Sequence, residues 1–484
     1  MTSKLLMAKP NIPREEISFV SDSFIDPNGR VFEWKDEVYR ALTKNYAPFC
    51  TDLFEKGIIQ QLIKENLLVE SEIVDWSIQP GDLVLRHRKI PVLSYCFEWP
   101  AAMLKRAALL TIDLCIRLAE HDLTLQDGHP WNILFDGTKP VFLDLSSIVP
   151  ARDDILWAPY QQFCNFFLFP LYLYSARQER IARWLLHDTL EGVTNNDLAN
   201  ALPVGFKLRH PLRSVRTSMP RVLAKLTEKL SVEMQNRLWN LSSNLNKQLV
   251  NQRTRIRFYE WLRKEVERTK LPLDSSHWAD YYSTADRTRF KTGFAPDDWA
   301  PKEQSFLQII RNLKPTTVLD LGCNTGRYAR LAAENGARVI ACDTDSASIS
   351  RCYEDAKKAS VNILSLVVNA FNPTPAYGRG GIARPSVNKR FHSELVLALA
   401  LMHHVVANQR LNIDLMARAC NSFTSRWLLI EFVPPLKTKP GSSSLSSLDD
   451  YTLDTLLDVL HKQFRSVVSH DSFPADRKLL LCEK

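Results

Sequence analysis

Thr317-Val-Leu-Asp-Leu-Gly-Cys-Asn-Thr-Gly326 is the stretch on which the fold of this chain turns. Thr317–Leu321 is a short apolar strand pattern with an acid, Asp320, near its end. Two glycines follow, Gly322 and Gly326, and then a helical pattern from Arg327 to Asn335. A second strand pattern, Arg338–Cys342, runs into Asp343, 23 residues after Asp320. Each part has a physical use. Glycine lets the backbone pass close to a bound molecule where a Cβ would clash. The start of the helix offers N–H groups that have no partner within the helix. An acid at the end of the second strand can accept both hydroxyl protons of a ribose, as it does in dinucleotide-binding folds.

Spacing separates this turn from those folds. A dinucleotide site reads G-x-G-x-x-G, whereas this turn reads D-x-G-x-x-x-G. It resembles motif I of the class I S-adenosylmethionine (SAM)-dependent methyltransferases, and the likeness extends over residues 305–484. The resemblance implies a Rossmann-like α/β sheet with SAM as cofactor. It places Asp320 near the methionine amino group, and Gly322, Cys323, Asn324 and Gly326 along the cofactor. Asp343 would hold the ribose. Asn369, after the strand pattern Ile363–Val368, stands where the family more often has Asp, beside the adenine amino group. Phe371 reads either as a packing surface for adenine or as core.

The fourth strand pattern, Glu394–Leu401, leads into Met402-His403-His404. Ligands collect at the carboxyl ends of the strands in such sheets, which puts both histidines at the reaction face. Imidazole titrates near neutrality and could take the proton an acceptor loses on methylation. A histidine that packs on the cofactor or caps the next helix fits the same pattern. Glu431, at the end of Trp427–Ile430, is a further candidate catalytic residue, for orienting substrate. Trp278-Ala-Asp-Tyr-Tyr282 resembles the lid element of the family. Tyr281 and Tyr282 would then close the cofactor site against water, although a helix packed on the domain fits these residues as well.

A second motif lies upstream. Leu125-Gln-Asp-Gly-His-Pro-Trp-Asn132, followed by Asp144-Leu-Ser146, resembles the catalytic and metal loops of kinase-like folds, nearest to small-molecule phosphotransferases. The resemblance implies Asp127 as the base, with Asn132 and Asp144 holding Mg2+ on the phosphates of ATP. The amphipathic helix pattern Met103–His121 and the Asp136-Gly137 hairpin fall where that fold has them, with Phe97–Trp99 near the hinge. The departures are the nucleotide-binding parts. Gly29 stands alone where a glycine-rich loop is expected, Tyr39-Arg40 replaces the nucleotide lysine, and Asp144-Leu-Ser lacks the usual glycine.

The rest of the sequence bounds these readings. At 484 residues the chain is long enough for two or more domains. Its 45% hydrophobic and 24% charged content is that of a globular protein. A net charge of +8 permits an anionic partner without requiring one. The basic residues between Lys207 and Lys229 carry no aromatic interleaving, so a solvated helix face is preferred to nucleic-acid binding. The nine cysteines form no Cys-x-x-Cys pair, which speaks against a zinc site or a disulfide framework. Phe166–Tyr174 is far shorter than the roughly 20 residues of a membrane span and reads as a buried helix. No secretory h-region precedes Pro13, and a cytoplasmic protein is expected.

The expected organisation is a lead-in over 1–26 and an α+β kinase-like domain over 27–240, with a reduced N-lobe and a helical C-lobe. A helical connector and lid over 241–304 precede the methyltransferase domain at 305–484. The expected activity is methyl transfer from SAM to an O or N nucleophile of a small-molecule or glycan-like acceptor, with the kinase-like domain degenerate. One alternative is a bifunctional kinase-methyltransferase that also uses ATP and Mg2+. Another is a non-catalytic scaffold.

Overall fold

The computed structural model describes residues 12–21, 23, 26–78, 83–203, 250–272, 276, 278–279, 300–409, 412–434 and 451–484. The basic stretch Lys207–Lys229 and the lid tyrosines Tyr281 and Tyr282 lie outside the described residues.

The first region opens with a five-stranded antiparallel sheet, in the order β1-β2-β3-β5-β4. Its strands are β1 (Ser18–Phe19), β2 (Gly29–Trp34), β3 (Glu37–Leu42), β4 (Ser71–Val74) and β5 (Leu83–His87). The turn between β2 and β3 places Lys35 and Asp36 at positive φ, 50° and 62°, the backbone twist that tight hairpins require. The helical run after β3 comes in two pieces, Ala47–Glu55 and Ile58–Lys64. Gly57, at φ 74°, breaks it and starts the second, because glycine alone takes the left-handed conformation without a Cβ penalty.

The helix Ala101–Ala119 buries Met103, Leu104, Ala107, Ala108, Thr111, Cys115 and Leu118. Around it lie β6 (Leu123–Leu125) and β9 (Ile148–Pro150), which pair, and the hairpin of β7 (Ile133–Asp136) and β8 (Lys139–Phe142). Phe166–Leu168 and the helix Phe169–Ser175 are buried almost throughout, as expected of a core segment. Among the described residues after Ser175, the short helices Glu179–Leu185 and Asn195–Ala201 are separated by turns, and the long helix Gln252–Arg268 comes later in the chain. That long helix packs along Ala101–Ala119, with Tyr259, Leu262 and Val266 buried.

The second region is a seven-stranded sheet in the order β12-β11-β10-β13-β14-β16-β15. The strands are β10 (Thr317–Leu321), β11 (Arg338–Asp343), β12 (Ile363–Val367), β13 (Ser393–Ala398), β14 (Thr424–Phe432), β15 (Ser466–Asp471) and β16 (Lys478–Glu483). β10 to β14 pair in parallel, and β16 runs antiparallel between β14 and β15. Near-continuous burial of β10–β14 is the mark of strands covered on both faces. This is the α/β Rossmann-like sheet expected of the class I methyltransferase fold.

The two regions share a buried junction. Arg390 and Glu98 form an ion pair at 2.5 Å, with 1% and 2% of their side chains exposed. The Val367 amide, on the outer strand β12, donates to the Glu98 carbonyl at 2.7 Å. Arg183 spans the same seam, donating to the carbonyls of Phe97 at 2.9 Å and Val367 at 2.7 Å. The Pro/Gly/Arg-rich segment 373–388 also lies on the first region: Tyr377 meets Tyr95 and Phe97 edge-on. All nine cysteines are buried and carry no disulfide bond. Among the described residues no helix is long and apolar enough to cross a membrane.

Candidate functional site

The motif I turn joins β10 to the helix Arg327–Glu334. Gly322 and Cys323 donate their amides to the Cys342 carbonyl at 2.8 and 3.0 Å, which ties the turn to the end of β11. Gly322 and Gly326 have φ of 69° and 83°, and Asn324 has φ of 52°. The glycines are also demanded by the protein itself. A Cβ on Gly326 would lie 2.4 Å from Cys352 Sγ, and one on Gly322 would lie 2.8 Å from Leu401 Cδ1.

Asp320 is 3% exposed, and its Oδ2 is buried without a hydrogen-bond partner. Burial, reinforced by Asp343, pushes its carboxyl up to about 7. A buried acceptor with no partner calls for an explanation, and a cationic amino group supplies one. Asp343 is oriented by two backbone donors, Asn324 N to Oδ2 and Asp345 N to Oδ1, each at 2.9 Å. Burial raises its carboxyl while those amides pull it down. Asn324 also donates through Nδ2 to the Trp278 carbonyl at 2.9 Å, so the chain at Trp278 touches the turn.

Asn369 follows β12. Its Oδ1 accepts from the amides of Phe371 at 3.0 Å and Asn372 at 3.2 Å. The side chain therefore has an N–H donor left to offer, which an Asp at this position would lack. Phe371 is partly buried against the core.

His403 and His404 stand at the carboxyl end of β13, ring centroids 3.9 Å apart. Trp278 lies edge-on to His404 at 4.9 Å. His403 Nδ1 is buried without a partner. Burial, then His404, Arg477 and Lys302, push His403 down to about 3. Both imidazoles are held neutral, His404 by burial and Arg477. Glu431 is fully buried, and Lys302 Nζ sits 2.6 Å from its Oε2. Lys302 and Arg477 did not emerge from the sequence. The signals were the Pro301 start of a helix carrying Lys302 and Glu303 in its first turn, and the turn Ser472–Arg477 between two strands left unread.

In the first region, Asp127 and His129 are 4.0 Å apart (Oδ1 to Nε2). Burial raises the Asp127 carboxyl and lowers the His129 imidazole. His129 Nδ1, Trp131 Nε1 and Asn132 Nδ2 are buried without partners, and the Arg384 guanidinium lies 3.8 Å over the Trp131 ring. Asp144 is engaged elsewhere. Arg40, 6% exposed on the middle strand β3, reaches Asp144 at 2.9 Å and Asp26 at 2.8 Å through Nη1. The Ser146 hydroxyl lies 2.5 Å from both carboxylates.

A family comparison agrees with the fold of the second region. Residues 318–379 match the methyltransferase domain family. Nodulation protein NoeA of Rhizobium meliloti (strain 1021) is 29% identical over 483 residues, 97% of this chain and 95% of that protein. Among solved structures, WbdD, described as a bifunctional kinase-methyltransferase, is 20% identical over 37% of this chain and 39% of its own, with a TM-score of 0.28. The chain thus spans well under half the length of WbdD that it matches. The magnesium protoporphyrin IX methyltransferase ChlM of Synechocystis PCC 6803 is 13% identical over 44% of this chain and 98% of its own, with a TM-score of 0.30. Residues 318–379 thus match a methyltransferase domain and lie within the seven-stranded Rossmann-like sheet.

Proposed function

We propose that the protein transfers a methyl group from SAM to an O or N nucleophile of a small-molecule or glycan-like acceptor. The observation that carries this reading is the buried Asp320 carboxyl beneath the D-x-G-x-x-x-G turn, whose Oδ2 has no hydrogen-bond partner. The residues present fit the cofactor. Asp320 would meet the ammonium, Asp343 would take the ribose hydroxyls, and Asn369 would lie beside the adenine. When bound, SAM supplies an electrophilic methyl whose C–S bond electrons stay on sulfur as the new bond forms. The chain's own part is to hold the acceptor in line, exclude water and leave neutral imidazole at His403 or His404 near the departing proton. Glu431 acts through Lys302, as a positioning residue.

The residues of the first region do not fit a metal-bound nucleotide. Arg40 is already paired with the carboxylate that would hold Mg2+, and Asp26 lies beside it. A metal on Asp144 would compete with the Arg40 guanidinium for that carboxylate and leave the buried guanidinium with Asp26 alone. This supports a degenerate kinase-like domain and weighs against the bifunctional alternative. The test is calorimetric titration of one preparation with SAM and then with Mg–ATP. SAM binding that is lost in Asp343→Ala, with no heat from Mg–ATP, is expected. SAM binding unaffected by Asp343→Ala contradicts the site, and Mg–ATP binding lost in Asp144→Ala restores the bifunctional alternative.

A further inference from the structure

The turn between β15 and β16 folds over the carboxyl end of β14. β14 and β16 are antiparallel, with Phe432 opposite Lys478 and Glu431 opposite Leu479. Arg477 is thus carried just past the end of β14, at the edge where α/β sheets collect ligands. The turn is fixed: the Ser472 hydroxyl donates to Glu431 Oε1 at 2.7 Å, and the Arg477 amide donates to the Pro474 carbonyl at 3.0 Å. Across from it, Lys302 holds Glu431 Oε2 at 2.6 Å. Both oxygens of Glu431 are therefore taken by close partners, and Arg477 Nη1 stands off at 4.0 Å. Among the described residues the Arg477 side chain makes no hydrogen bond, and it is 24% exposed.

Lys302 is closely paired with Glu431 and also acts on Asp320, whereas Arg477 has no close carboxylate partner among the described residues, and the adjoining His403 and His404 are held neutral. A sheltered guanidinium with open donors suits a carboxylate or phosphate, which it can take in a two-pronged hydrogen-bonded fork. We propose that the methyl acceptor carries an anionic group, a carboxylate or phosphate ester, which Arg477 binds beside His403. This rests on methyl transfer occurring at this sheet end, and it narrows the acceptor class. The anion has a second effect. Arg477 and Lys302 are among the groups that weaken His403 as a base, so a negative charge seated on Arg477 offsets them and returns basicity to the imidazole. The residue that binds the acceptor thereby prepares the base for it.

The probe is inorganic phosphate, titrated calorimetrically into the full chain loaded with S-adenosylhomocysteine, for wild type, Arg477→Gln and Arg477→Lys. Saturable binding to wild type is expected, weakened about tenfold or more in Arg477→Gln by loss of the charge-assisted contacts and partly restored in Arg477→Lys. S-adenosylhomocysteine affinity, measured separately, should agree among the three within about twofold, against the roughly tenfold loss that a missing contact brings. Phosphate that fails to bind wild type, or binds Arg477→Gln equally well, overturns the proposal. Failure of wild type to bind S-adenosylhomocysteine is a different result, and overturns the methyl-transfer reading beneath it.

Discussion

Arg390 and Glu98, 292 residues apart in sequence, meet as a two-pronged ion pair sealed from solvent at the junction of the two regions. Arg390 also donates to the Leu93 carbonyl at 2.6 Å and lies 4.3 Å over the Tyr95 ring. Glu98 accepts in addition from the Tyr95 amide at 2.8 Å. Every polar atom of the pair that faces the seam is thus occupied. Glu98→Gln leaves the guanidinium buried without its counter-charge, and the expected loss is about 3–5 kcal/mol of unfolding free energy. Urea denaturation followed by tryptophan fluorescence reads it. A loss under about 1 kcal/mol, the range of an exposed pair, would mean that the seam opens readily to water.

Cofactor binding should depend on the ionisation of Asp320. Its carboxyl is raised to about 7 in the free protein, while a cationic amino group favours the ionised form. Affinity for SAM is therefore expected to climb as pH rises from 6 to 8. Binding near pH 6.5 should release protons, detectable as a dependence of the calorimetric heat on buffer ionisation enthalpy. Asp320→Asn should remove that dependence along with most of the affinity. For the unliganded fold the sign is that of a carboxyl raised above its unfolded value. Its contribution is fully present below pH 3.8 and is lost as pH climbs towards 7.

Acid should destabilise the protein through two histidines. Burial pushes both His87 and His403 down from 6.5 to about 3. The unfolded chain takes up protons at these positions as pH falls below 6.5 and the folded chain does not, so stability declines between pH 6.5 and 3. Among the described residues the His87 imidazole has one partner, Ser71 Oγ at 2.7 Å from Nδ1, and its Nε2 is buried with none. Urea midpoints at pH 7.5 and pH 5 should differ less in His87→Leu than in wild type. Equal differences would place the acid sensitivity elsewhere.

Gly326→Ala should be costly on two counts. The residue sits at φ 83°, where a non-glycine residue is strained by roughly 1 kcal/mol or more. The added methyl would also start 2.4 Å from Cys352 Sγ. A combined loss of about 2–4 kcal/mol is expected from backbone strain together with overpacking. Gly326→Ala combined with Cys352→Ala should recover part of that loss in thermal unfolding, because the second change removes the sulfur. No recovery would assign the whole cost to the backbone.

How much could be read in advance depended on whether the determining contacts were local. Strand, turn, helix and acid between Thr317 and Asp343 lie within one contiguous stretch, and the structure places them in one β-turn-helix-β unit. Conformational demands at Gly322 and Gly326 were legible for the same reason, whereas the side chains they avoid, Leu401 and Cys352, were not. Glu431 reads as a candidate for orienting substrate because it ends a strand. Its partner Lys302 is 129 residues away, and nothing in the sequence announces the pairing. Arg40 was noted as a missing lysine, but only the fold shows it bound to Asp144 and Asp26. The last two strands, Ser466-Val-Val-Ser-His-Asp471 and the apolar run of Lys478–Glu483, carry ordinary strand signals.

β12 is the outermost strand of the seven-stranded sheet, and all five of its residues are buried. Its Val367 amide and carbonyl are taken by Glu98 and Arg183 of the other region. A recombinant fragment that begins near residue 300 would present this apolar strand to the solvent as an uncovered edge. Such edges recruit further strands from neighbouring molecules. Separating the two halves for individual study therefore invites self-association of the second, and charged substitutions along β12 would be needed to keep it monomeric.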